Sequence, residues 1–316
     1  MRKEITAKTK QLSRITSVEG LRILAGFGIV WFHTVSAPGR SIGYAGLPVF
    51  LMIFCALIVA SQRRDNDNFY SFAKRKTLRL IKPWIFWSIV YLVANIFKRL
   101  CLKEALAGCL EGNMLLVGAS VHLWYLPYAF MVSLLFYSLR HLGMQSQHHP
   151  TLLFVVSISC ILLVLCPVAM FSFELPLPMG QWLFGLPALS IGVAIGMAYS
   201  YLSGNIQRLY YVMSILSTVF ICVLMKFLGY RNLATPYSIA VVLVCGAFMW
   251  NGRSHKFLYK WASLTYGVYL IHPLVAGIVR HGGMDQVSPW IMLVVVFLLS
   301  SVITLILQKT PLKQFV

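Results

Sequence analysis

Apolar runs of about 17 to 25 residues recur along the whole chain, separated by short polar stretches that carry charge, glycine or proline. They predict ten membrane-spanning helices, over about 18–37, 44–61, 80–97, 123–139, 151–170, 182–201, 209–228, 236–250, 262–279 and 289–308. The third opens inside a basic run and the eighth is short. No internal repeat, low-complexity tract or long soluble insertion interrupts the series. The expected fold is therefore all-α, a polytopic membrane protein forming one domain over 1–316 with short loops. The first run is long and carries Arg22 and His33 rather than a small-residue cleavage site, so it is expected to stay in the mature protein.

Composition agrees with that class. Hydrophobic residues make up 59% of the chain, aromatics 14% and charged residues 11%, and the mean hydropathy is +0.78. A net charge of +19 would suit nucleic acid, but its distribution points elsewhere. With both termini placed inside, nineteen Lys and Arg fall on the cytoplasmic side, seven outside, and Arg22 within a span. That positive-inside bias accounts for most of the charge, predicts cytoplasmic termini and disfavours a nucleic-acid partner. The inner stretches are a basic N-terminal segment, 1–17, and a basic loop, 62–82, whose part from Phe69 to Leu80 reads as an amphipathic helix leading into the third span. The seven cysteines are odd in number, mostly within spans and without CxxC spacing, and read as packing residues. No metal-ligand spacing is present, so no metal is expected.

Ionisable groups inside the apolar runs are candidates for function, because charge at that depth costs several kcal/mol unless it is paired or hydrated. The first run holds Glu19, Arg22 and His33. From Arg22 to His33 a helix climbs about 16 Å, half of a ~30 Å hydrocarbon core. With Arg22 at the inner face, His33 lies near the midplane. The plain alternatives are a snorkelling arginine, a histidine bonded between helices and a structural Glu19–Arg22 pair one turn apart. In the inner loop, Lys76 and Arg79 are three apart and Arg75 and Arg79 four apart, a spacing that groups them on one helical face suited to phosphates or, more simply, to anionic headgroups. His272 lies about ten residues into the ninth span, at a depth like that of His33. Around it and at the start of the fourth span stand His122, Trp124, Tyr125, Tyr266 and Tyr269, candidates for belt or packing aromatics or for walls that stack on sugar rings.

These motifs together resemble the membrane-bound acyltransferase 3 family over nearly the whole chain. That family has ten spans and, in the first, a basic residue followed after ten positions by a histidine, here Arg22 and His33, with an acidic residue just before, here Glu19. Its RxxR-like segment before a Pro-aromatic pair matches Lys76-Thr-Leu-Arg79 ahead of Pro83-Trp84. Its HLWFL-like and SYGIYLLH-like elements match His122–Leu126 and Thr265–His272. The chain departs from the family's FFxxSGF in the second span, where it reads Phe50-Leu-Met-Ile-Phe54-Cys55-Ala56.

The resemblance implies a multi-pass protein of the cell inner (plasma) membrane that transfers an acyl group, usually acetyl from cytoplasmic acetyl-CoA, to a hydroxyl of a lipid-linked sugar or surface glycan such as lipopolysaccharide or exopolysaccharide. It implies acetyl-CoA as cosubstrate, no metal, and the acyl-CoA donor, the glycan acceptor and the bilayer as partners; oligomeric state is unreadable. On this basis His33, Arg22 and Glu19 are the expected catalytic residues. Arg75, Lys76 and Arg79 are expected to hold the coenzyme A phosphates, and His122, Trp124, Tyr125, Tyr266, Tyr269 and His272 to bind substrate. His33 would serve as general base on the sugar hydroxyl or carry the acyl group itself. A transporter or flippase of lipid-linked glycans is the alternative, since carriers also place ionisable groups at the midplane. Replacing His33 by Ala should abolish transfer while membrane insertion persists; acetylation retained in that variant would refute the expectation.

Overall fold

Hydrocarbon offers a backbone amide no water to bond, and a helix satisfies nearly all of its own. Every regular element among the described residues is helical. The structure is a computed structural model describing residues 15–34, 37–62, 68–106, 112–141, 148–173, 175–250, 255–283 and 288–316. Most of the basic N-terminal segment, residues 63–67 of the basic loop, Cys109 and Arg253 lie outside the described residues.

The main helices are α1 (Thr16–His33), α2 (Gly46–Gln62), α3 (Phe69–Lys76), a π turn (Thr77–Ile81), α4 (Lys82–Leu102), α5 (Tyr125–His141), α6 (His148–Ser172), α7 (Met179–Tyr201), α8 (Gly204–Phe227), α9 (Arg231–Met249), α10 (Lys256–Ala262), α11 (Thr265–His281) and α12 (Pro289–Leu307). Taking α3 with α4 and α10 with α11, the helices overlap all ten expected segments. Among the described residues six helices are long and apolar enough to cross a membrane, and α10 with α11, bent by 46°, makes a seventh if the two count as one span. Shorter apolar stretches run over Val155–Met170 and Ala234–Met249. α1 is absent from that set because Glu19, Arg22 and His33 dilute its apolar character.

α1 packs against α2, α9, α10, α11 and α12. Glu19 and Arg22 are thereby partly shielded by protein, while His33 at the helix end stays exposed. Around α1 the buried side chains divide into two clusters, one centred on α2, α7, α8 and α9, the other on α4, α11, α12 and the C-terminal half of α1. Phe50 and Tyr125 pack against both. Exposed apolar positions form stripes facing outward, as in α4, where Ile85, Ile89, Val93 and Phe97 stand one turn apart on the surface while Trp87 and Tyr91 are buried.

Between helices in lipid the attraction comes from close packing, so small residues mark the tightest crossings. On α7, a Cβ at Gly192 would lie 2.6 Å from the Met52 carbonyl oxygen, and one at Gly196 would lie 2.7 Å from that of Ala56. Cys55, which stands at the glycine of the family's FFxxSGF, and Ala56 after it are fully buried against these glycines. The missing glycine on α2 is thus matched by small residues on α7.

Three prolines shape the helices by withholding an N–H from the carbonyl four residues back. Beside Pro187 in α7, the Tyr237 hydroxyl donates to the Phe184 carbonyl and accepts from the Ala188 N–H at 3.1 Å, standing inside one helical rung. Pro83, at the start of α4, leaves the Arg79 carbonyl, which the Tyr266 hydroxyl bonds at 3.1 Å. Pro273 in α11 leaves the Tyr269 carbonyl, which His272 Nδ1 bonds at 2.8 Å.

Gly196→Val would drive a branched side chain into the α2 backbone, at a cost of about 1–3 kcal/mol. A lower thermal-unfolding midpoint in detergent is expected; an unchanged midpoint would contradict the crossing.

Candidate active site

Residues 22, 26, 29 and 33 fall on one stripe of α1, because eleven residues complete just over three turns. Arg22 pairs with Glu19 at 3.0 Å, one turn away, both side chains partly exposed. Arg22 and Ile29 of this stripe line a cavity of about 340 Å³. Arg22, Ser61, Lys76 and Arg79 line it towards the inner loop. Phe54, Phe50, Ile29, Thr265, Tyr125 and Tyr269 continue it inwards. Along α2 the lining runs from Ser61 to Phe50, a rise of about 16 Å. It lies at the seam between the two buried clusters, with Phe50 and Tyr125 belonging to both walls.

The charged end is set by the break between α3 and α4. A π turn bonds each N–H five residues back and widens the helix, so positions around it leave the α-helical register. Lys76 and Arg79 line the cavity, whereas Arg75 is exposed and lies off it. The spacing argument grouped all three because it assumed an uninterrupted α-helix. Lys76 Nζ stands 5.4 Å from the centres of both the Phe54 and Phe72 rings, cation–π contacts that hold the ammonium near the mouth. Tyr266 lines the wall and ties α11 to the π turn through the Arg79 carbonyl.

One helical turn beyond Ile29 lies His33, outside the cavity lining. The structure brings it to His272, with ring centres 5.1 Å apart, and His272 to His122, at 5.6 Å. His272 and His122 are buried; His33 keeps an exposed side, flanked by Phe32, which stacks on Tyr44. His122 Nδ1 bonds the Ser120 hydroxyl at 2.9 Å, and its backbone carbonyl accepts from the Tyr269 hydroxyl. Tyr269 belongs to both regions. It lines the cavity, and its ring centre lies 5.7 Å from Tyr125, 5.6 Å from His122 and 6.3 Å from His272. Tyr125 and Tyr269 together stand as a wall between the basic cavity and the histidines. Trp124 is elsewhere, buried against Tyr128 at 5.5 Å and off the cavity. Among the described residues no group of His, Cys, Asp or Glu could hold a metal ion.

A family model described as an acyltransferase domain matches residues 15–309. The chain belongs to the acyltransferase 3 family. No curated protein and no solved structure matches it significantly. The matched region takes in every helix from α1 to α12, so the cavity and the histidine cluster of this membrane acyltransferase both fall within the family domain.

The structure adds residues that motif reading passed over. Phe50, Phe54 and Ser61 line the acyltransferase cavity from α2, and their spacing of four and seven along one face was a readable signal. Tyr91, whose hydroxyl bonds the Leu270 carbonyl at 2.7 Å and whose ring lies 5.0 Å from His122, sits among apolar residues in the sequence and gave none.

Proposed function

We propose that the protein takes acetyl from cytoplasmic acetyl-CoA and transfers it to a hydroxyl of a lipid-linked sugar or surface glycan in the inner membrane, with both termini cytoplasmic. The observation that carries this reading is the order of groups along one axis: cations at the mouth, an apolar cavity, a tyrosine wall, then histidines with an exposed side. Lys76 and Arg79 hold the phosphates of the donor, since a fixed guanidinium and an ammonium suit phosphate oxygens. Arg75 contributes charge near the mouth without lining it. The apolar cavity takes the pantetheine arm, and Arg22, held by Glu19, steers it or meets developing negative charge.

His33 removes the proton from the acceptor hydroxyl as the oxygen attacks the thioester carbonyl. The carbon–sulfur bond then breaks and His33 returns the proton to the departing thiolate. In a variant, His33 takes the acetyl group itself and passes it to the sugar. The acceptor approaches from the exposed side of His33, where Phe32 and Tyr44 offer aromatic faces. His122, Tyr125, Tyr269 and His272 shape the inner side of that chamber, while Tyr266 stands at the cavity mouth and Trp124 packs behind.

Truncating a charged partner of a phosphate removes about 1.5–3 kcal/mol. Arg79→Ala in the protein reconstituted in lipid nanodiscs should therefore raise KM for acetyl-CoA at least about 10-fold with little change in kcat, read as thiol release. An unaltered KM would remove the phosphate-holding role. Loss of acetyl from cell-envelope glycans on deletion of the chain, read by mass spectrometry, tests the acceptor class; lipid translocation without acetyl transfer would favour a flippase.

A further inference from the structure

His272 stands behind His33, and the local chain fixes which of its nitrogens carries the proton. Pro273 cannot donate to the Tyr269 carbonyl, four residues back in α11. His272 Nδ1 lies 2.8 Å from that oxygen and 3.2 Å from the Val268 carbonyl. A carbonyl only accepts, so Nδ1 bears the hydrogen and Nε2 of the uncharged ring presents a lone pair. That Nε2 is fully buried and has no hydrogen-bond partner among the described residues. Orphaned buried polar atoms are uncommon and call for a partner. His122 also holds an unpartnered Nε2, but its Nδ1 faces a hydroxyl that either gives or takes a proton, so its tautomer is not fixed.

The geometry points to His272 as the positioning residue of His33, acting as a hydrogen-bond acceptor that sets the tautomer of the base. With ring centres 5.1 Å apart and the ring planes at 49°, the two imidazoles are close enough for a turn of the His33 side chain to bring an N–H onto the unpartnered His272 Nε2. One nitrogen of His33 donates to His272 Nε2. The other, on the exposed side, keeps its lone pair for the acceptor hydroxyl. When His33 takes that proton it becomes an imidazolium whose inner N–H remains bonded to His272, and the proton leaves again with the thiolate. The arrangement parallels the carboxylate that orients a catalytic histidine in serine proteases, with a backbone-anchored imidazole in its place. It rests on His33 being the base, as proposed above.

The test is solid-state NMR of the full-length protein, labelled with 15N-histidine and reconstituted in phospholipid bilayers, with His33 assigned by subtraction of a His33→Gln sample. One His33 tautomer is expected in the parent. In His272→Leu a mixture of both is expected, while His272→Gln, whose side-chain oxygen accepts, should restore a single form. Pro273→Ala, which returns an N–H to the Tyr269 carbonyl and leaves the imidazole in place, should broaden the His272 Nδ1 signal. In parallel, thiol release from acetyl-CoA should fall about 10²-fold in kcat for His272→Leu, with KM unchanged and partial recovery in His272→Gln. A His33 tautomer indifferent to His272→Leu in a protein that still inserts and unfolds cooperatively overturns the inference. Thiol release that persists in His33→Ala instead overturns the base reading beneath it, and the two failures are separately visible.

Discussion

A polar backbone group inside hydrocarbon must find a partner within the protein, and in this chain prolines create the vacancies that site residues fill. Pro83 frees the Arg79 carbonyl and Tyr266 bonds it; Pro273 frees the Tyr269 carbonyl and His272 bonds it. The first contact fastens α11 to the π turn at the cavity mouth. The second fixes a histidine at the far end. In α7 the Tyr237 hydroxyl instead bridges the Phe184 carbonyl and the Ala188 N–H, beside Pro187 and away from the cavity. A requirement of the solvent thus sets the orientation of two side chains at the candidate site, before any substrate is considered.

The same solvent explains why α1 is central. A stripe bearing Glu19, Arg22 and His33 has no stable place against lipid, so the helix is wrapped by five others. Wrapping it demands close approach, and the tight crossings fall where side chains are smallest: Gly28 against Gly43, Gly46 against Ala25, Gly192 and Gly196 against α2. Two clusters of buried side chains result rather than one, and the cavity occupies the seam where they fail to close.

Much of this was legible in the sequence. Hydropathy found a helix for each of the ten segments, and the spacing of Arg22 and His33 set one at the cavity and the other a turn beyond its end. What was not legible turns on local departures from the regular helix. A π turn over Thr77–Ile81 leaves no mark in the periodicity, so Arg75 was grouped with residues it does not accompany. Trp124 and Tyr125 are adjacent and chemically alike, yet one packs into a cluster and the other faces the cavity, a choice made by tertiary contacts alone. The partnership of Tyr91 with Leu270 joins residues 179 apart in sequence.

The tyrosine wall joins the two ends of the candidate site. Tyr269 touches the donor cavity with its ring and the histidine cluster through the His122 carbonyl, so a movement of its ring alters both sides together. On the proposed reading, a thioester advancing along the cavity meets Tyr125 and Tyr269 before it meets His33. Water entering from the basic mouth meets the same wall. On the same reading the acceptor hydroxyl comes to His33 from its exposed side. Donor and acceptor then approach the base from opposite directions without competing for one path, and the tyrosines keep cytoplasmic water from the base until the acyl group arrives. Such a division suits a reaction whose two substrates are held on opposite sides of a membrane.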